Sequence, residues 1–141
     1  MHDIELLQYV HKTASMGIKG LEDVTGHIAD SELREAVSRQ IQEYQNISEA
    51  SSSLIRSKGG EPNSPGLMAQ VSSELMSTAK TLVDSSASKI AEMVIQGNTM
   101  GITKGTKHLN DYDGDDHQVK KLAEKLIETE QANIEQMKKF L

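Results

Sequence analysis

Ser31–Pro65 reads SELREAVSRQIQEYQNISEASSSLIRSKGGEPNSP, and this stretch decides the fold. Leu33, Val37, Gln40, Tyr44, Ile47, Ser51 and Leu54 recur at steps of three and four, the helical period. The spacing predicts a helix from Ser31 to about Lys58. Asp30-Ser31 supplies a turn and cap signal, and Glu32 and Glu35 suit the positive end of the helix dipole. Gly59-Gly60 ends the helix, because the residue past a helix terminus commonly takes left-handed backbone. Gly59–Pro65 is the clearest break in the chain.

The same period recurs on both sides of that break. Leu6, Val10, Thr13, Gly17, Leu21, Val24 and Ile28 predict a first helix from about Asp3 to Ala29. Beyond Pro65, Leu67, Val71, Leu75 and Met76 predict a short helix over Gly66 to about Leu82. Asp84 or Ser85 is placed to cap a third long helix running to about Leu109, with Ala87, Ile90, Val94, Gly97, Gly101, Gly105 and His108 inward. Asn110–His117 (NDYDGDDH) is a polar turn, with Asp115 or Asp116 as the next cap. A last helix follows, with Val119, Leu122, Leu126, Glu130, Asn133, Met137 and Phe140 on one face. Alternation of two is absent, so the fold class is all-α. Helices of about 40 Å at 1.5 Å per residue suit an antiparallel four-helix bundle built from two helical hairpins. The connection between the hairpins is far longer than the two to eight residues usual between antiparallel neighbours, so it is expected to cross the length of the bundle.

Composition narrows the function. The 141 residues carry 21 acidic and 15 basic side chains, a net charge of −6, and no cysteine. One domain over residues 1–141 fits that length. Absence of cysteine removes disulfides, thiolate zinc and a catalytic thiol. Acidity argues against a nucleic-acid partner and a basic membrane-surface face. No apolar run reaches the roughly 20 residues of a membrane span, and Met1-His2-Asp3-Ile4-Glu5 lacks a signal-peptide pattern, so the expected compartment is the cytoplasm.

A faint internal repeat supports paired hairpins. Met16-Gly17-Ile18-Lys19-Gly20 returns as Met100-Gly101-Ile102-Thr103-Lys104-Gly105, and Glu43-Tyr44-Gln45-Asn46-Ile47 returns as Glu130-Gln131-Ala132-Asn133-Ile134. In hairpin order and long crossover the chain resembles the ferritin-like superfamily. Residues 17–62, GIKGLEDVTGHIADSELREAVSRQIQEYQNISEASSSLIRSKGGEP, also resemble small bacterial ferritin-like families of unassigned role, including stress-associated and spore-coat-like ones. The resemblance implies a ferritin-like bundle with a short extra helix in its crossover. Ferritin-like metal enzymes use a Glu on each of two helices and Glu-x-x-His on the other two, a donor set suited to iron or manganese. Here Glu43-x-x-Asn46 and Glu130-x-x-Asn133 stand where Glu-x-x-His is expected, and Gly17 and Gly101 stand in place of the lone glutamates. That departure leaves no expected metal and no cofactor.

Helical facing refines the site. Glu130 and Asn133 lie within their apolar stripe, whereas Glu43 sits at the edge of its own and Asn46 well off it. By facing, Tyr44 is therefore the partner of Glu130. The expected candidate ligand-binding cluster is Tyr44, Glu130 and Asn133, with Gly17 and Gly101 opposite. The Tyr44 hydroxyl and the Asn133 amide are the available donors to a buried carboxyl, which without a partner tends to be protonated. The glycines make room, for close packing or for a cavity.

Other motifs carry less. Gly97, Gly101 and Gly105 at spacing four predict close helix approach, inside the bundle or across a dimer. Asp111, Asp113, Asp115 and Asp116 lack calcium-loop spacing and are expected to form a turn. His11, His27, His108 and His117 form no zinc-protease pair. Ser51-Ser52-Ser53 and Ser85-Ser86 show no partnered base, and no nucleophile elbow or phosphate loop is present. No catalytic residue is expected. The leading expectation is a non-enzymatic, homodimeric bundle with a scaffold role. Its alternative is metal or small-ligand binding around Glu130.

Overall fold

A computed structural model describes residues 1–62 and 86–141. Four long helices form: α1 (Asp3–Thr25), α2 (Ser31–Ser57), α3 (Ala87–Asp111) and α4 (His117–Lys138). No strand occurs among the described residues. The short helix expected over 66–82 lies outside them.

Local chemistry sets the helix ends. Asp30 caps α2 by accepting from the Leu33 amide at 2.9 Å. Gly59 takes φ +84°, its amide donates to the Arg56 carbonyl, and the Gly60 amide donates to the Ile55 carbonyl at 3.0 Å. Those paired bonds are a Schellman cap, which explains the Gly-Gly stop. The first helix ends at Thr25, short of the expected Ala29. The Ile28 side chain nonetheless stays buried, and its carbonyl accepts from the Arg34 guanidinium. Helix α3 begins later than expected: Ser86, not Asp84 or Ser85, is the cap, accepting from the Lys89 amide. Asp116 caps α4 through the Gln118 and Val119 amides at 2.9 and 3.3 Å.

Side-chain bonds at the ends fix the helix directions. Lys58, at the end of α2, reaches Asp3 at the start of α1 (3.1 Å) and Asp116 at the start of α4 (2.7 Å). Tyr112, just past α3, donates to Asp3 at 2.6 Å. At the opposite end Lys139, past α4, approaches Glu32 at the start of α2. Thus α1 is antiparallel to α2 and α3 to α4, while α2 and α3 run the same way. Helix α2 finishes at one end of the bundle and α3 starts at the other, as the long connection between them allows.

The core is aliphatic: Leu6, Leu7, Val10, Leu33, Val37, Ile55, Ile90, Val119, Leu126 and Met137 are buried. Burial of such side chains supplies the main driving force for a bundle. The expected stripes are displaced by one residue in places. Ala14 is buried beside half-buried Thr13, Ile55 beside half-buried Leu54, and Ala123 beside half-buried Leu122. Gly97 is a correction of more weight. It is exposed, and an added Cβ there would meet nothing within 4 Å, so it takes no part in helix approach inside the bundle. Asn98 takes the inward position instead.

Candidate functional site: a polar centre closed on two glycines

Half-way along the bundle the aliphatic core gives way to Tyr44, Asn98, Glu130 and Asn133, all buried. Each comes from its helix's inward stripe: Tyr44 from α2, Asn98 from α3, Glu130 and Asn133 from α4. The Tyr44 hydroxyl donates to Asn98 Oδ1 at 2.8 Å and lies 3.5 Å from Glu130 Oε2, at the outer limit of a hydrogen bond. Asn133 Nδ2 donates to the same Asn98 oxygen at 3.3 Å, and Asn98 Nδ2 to the Val94 carbonyl at 2.8 Å. Glu130 is only 2% exposed, and its Oε1 has no hydrogen-bond partner.

The glycines explain how these side chains fit. A Cβ on Gly17 would lie 2.7–2.9 Å from the Tyr44 ring, and one on Gly101 would lie 2.6 Å from the Glu130 carboxyl carbon. Such separations are shorter than van der Waals contact. Each glycine is a socket already filled by a side chain of the next helix, and the glycine signal therefore marks close packing. Gly105 approaches Ile127 more loosely.

Electrostatics follow from burial. Desolvation pushes the Glu130 carboxyl up to about 8, only partly opposed by its bond from Tyr44. Burial, then the neighbouring Glu130 charge, holds the Tyr44 phenol well above its ordinary value. Tyr9 of α1 is also raised, first by burial, and it feels the same carboxyl. Its hydroxyl donates to the Gly101 carbonyl at 3.4 Å, and its ring lies against His108. The centre thus holds a carboxylic acid at neutral pH.

The structure brings Tyr44, Glu130 and Asn133 together with Gly17 and Gly101, as facing predicted. It differs over the bonds: the common acceptor is Asn98, which the sequence reading passed over, and Asn133 donates to it rather than to Glu130. The letter-matched pair is elsewhere. Glu43 lies on the surface 3.9 Å from Lys125, and exposed Asn46 accepts from Gln42. Among the described residues, no three His, Cys, Asp or Glu side chains gather as a metal-binding group.

A groove of about 450 Å³ runs beside the centre between α2 and α4. Buried Gln40, Thr129 and Asn133 line its inner part, and Arg39, Glu43, Lys125, Glu128, Ala132 and Gln136 complete it. Gln40 is 1% exposed; its amide donates to Gln136 at 3.0 Å, and its own oxygen has no partner.

A second cluster corrects the expectation that the serines lack a base. His11 Nδ1 lies 3.2 Å from Ser52 Oγ, 3.4 Å from Ser51 Oγ and 3.5 Å from Ser48 Oγ, with the Ser48 carbonyl at 3.4 Å. One step off the α1 stripe aims His11 at α2, where serines at i, i+3 and i+4 share a face. Four oxygens around one nitrogen make a helix-to-helix tie. Among the described residues no bond orients the other ring nitrogen, and the serine amides lie inside α2, unavailable as oxyanion donors. The cluster therefore lacks the parts of a nucleophilic site.

Helices and centre together define an all-α four-helix bundle with a buried, uncharged polar core. The chain belongs to the family described as Domain of unknown function (DUF2383), whose model matches residues 3–111. No curated protein and no solved structure matches it. No described helix is long and apolar enough to cross a membrane.

Proposed function

We propose that this chain is a non-enzymatic, ferritin-like bundle with a scaffold role, of the stress- or sporulation-related kind that its sequence resembles. In this reading the position of a di-metal centre is taken by a metal-free cluster. The observation that supports it is the filling of both sockets, Gly17 by the Tyr44 ring and Gly101 by the Glu130 carboxyl. The parallel course of α2 and α3 supports the ferritin-like topology, which the bundles with one long crossover share. A homodimer in the cytoplasm completes the proposal, and a monomer by light scattering would remove the dimer.

Elemental analysis of protein purified without chelator, with thermal melts in Fe(II), Mn(II) and Zn(II), tests the central point. The expected result is no stoichiometric metal and an unmoved midpoint. A ligand that binds only the folded state raises the midpoint by mass action. A metal-dependent rise that disappears in Glu130→Gln would overturn the proposal in favour of metal binding at the centre.

A further inference from the structure

We infer that the bundle centre is a proton-operated latch: a protonated Glu130 lets α2 and α4 close over it, and its ionisation opens the seam between those helices beside Asn133.

Two buried oxygens without donors carry the argument. Gln40 Oε1 lies in the α2–α4 groove and Glu130 Oε1 in the adjoining centre, against Gly101 of α3, and neither has a partner when the seam is closed. A buried acceptor without a donor costs free energy that water would restore. Closure therefore works against itself along this seam.

Among the described residues the surroundings offer no cation to an ionised Glu130. From α1 the facing titratable group is Tyr9, and from α2 it is Tyr44; both are phenols that already feel the carboxyl unfavourably. From α3 the neighbours are Asn98 and Gly101, and on α4 they are Thr129 and Asn133, all uncharged. The basic groups lining the groove, Arg39 and Lys125, are both exposed, and Lys125 is turned to Glu43. A negative charge at Glu130 is thus met by hydration or not at all. The groove offers water a way toward the centre, since its wall includes Asn133, itself bonded into the central network.

Linkage gives the sign and size. In the closed state the carboxyl titrates at about 8, and in an opened, hydrated state near its ordinary 4.5. The opening constant then rises about tenfold per pH unit through that interval and levels off above pH 8. The inference rests on a centre without metal, so the experiment uses protein treated with chelator and checked for metal content.

Amide hydrogen exchange between pH 6 and 9, corrected for intrinsic base catalysis, tests it. Protection of amides around residues 40–44 and 129–136 is expected to fall about tenfold per unit from pH 6 to 8, then flatten. Low denaturant should hardly affect these amides, which marks local opening. The pH slope should vanish in Glu130→Gln, and a ¹³C-carboxyl titration of the wild type should place Glu130 far above other glutamates without needing any variant. PH-independent protection in metal-free protein overturns the latch, as does a Glu130 midpoint in the ordinary range. Exchange of all four helices with one common protection and one denaturant slope also overturns it, because that is global unfolding. Stoichiometric metal at the start would instead defeat the metal-free reading on which it rests.

Discussion

Alanine at Gly97 and at Gly101 provides a matched pair of perturbations one turn apart on α3. Both glycines lie inside the helix, so both substitutions gain the same backbone term, about 0.5–1 kcal/mol. At Gly97 the new methyl meets nothing within 4 Å and the site is exposed, so the gain is kept in full. At Gly101 the methyl would lie 2.6 Å from the carboxyl carbon of Glu130, and overlap with both carboxyl oxygens is worse than ordinary contact allows. Relief requires the Glu130 carboxyl to leave this socket and its place beside Tyr44. Overpacking of this kind costs about 1–3 kcal/mol, and the loss of a buried hydrogen bond adds about 1 kcal/mol. Gly97→Ala should therefore be stabilised by up to about 1 kcal/mol and Gly101→Ala destabilised by about 1–3 kcal/mol. Urea unfolding followed by far-ultraviolet circular dichroism, with the slope held common, measures both. Equal stabilisation of the two variants would refute the reasoning, because it would mean that Gly101 faces open space and that the Glu130 carboxyl does not occupy its socket.

The remaining predictions concern the centre and the charged end. Wild-type stability should fall as pH rises from about 4.5 to 8, since the folded protein holds the Glu130 proton more tightly; the loss is at most about 5 kcal/mol at 1.36 kcal/mol per unit, and Glu130→Gln should abolish it in denaturant titrations at each pH. Gly17→Ala should be destabilising, and Tyr44→Phe, which removes the hydroxyl but keeps the ring in its socket, should cost about 1–2 kcal/mol by chemical denaturation. Asp3 is held below its ordinary value first by the Tyr112 hydroxyl and then by Lys58, and Asp116 first by Lys58. Their stabilisation is present above the ordinary carboxylate pKa and is lost as pH falls through the lowered values. Lys58→Met should therefore flatten the acid side of the melting profile, and an unchanged acid limb would count against that network.

The helices were legible because period and punctuation agreed. The stripe through Tyr44 and the Gly59-Gly60 stop needed no tertiary information, and the same period put Tyr44 opposite Glu130 where matching letters pointed to Glu43. Asn98 was not legible. A helix step from Val94 reaches either 97 or 98, hydrophobicity favours neither glycine nor asparagine, and the series Gly97, Gly101, Gly105 pulled the choice the wrong way. Only the exposure of Gly97 and the bonds of Asn98 separate them. The His11 tie was missed because its serines lie on another helix, and the rotation of α2 against α1 is a packing property. The α3 cap moved to Ser86 because Asp, Ser and Ser in succession offer equal local chemistry.

The two filled sockets have a consequence for assembly. Gly17 and Tyr44 belong to the same hairpin, as do Gly101 and Glu130. Each half of the molecule therefore carries its own registration pin, a large side chain of its second helix seated in a notch of its first. Sliding either pair by one turn would unseat the pin at once. The halves can set their internal alignment before they meet, through contacts close in the chain, which is the inexpensive order for a folding polypeptide. The bond from Tyr44 to Asn98 joins one pinned half to the other and is completed only when both are aligned. The weak repeat around Met16-Gly17-Ile18 and Met100-Gly101-Ile102 places the notch alike in both hairpins, while the pins, a phenol in one and a carboxylic acid in the other, stand one residue apart in the repeat of the second helices.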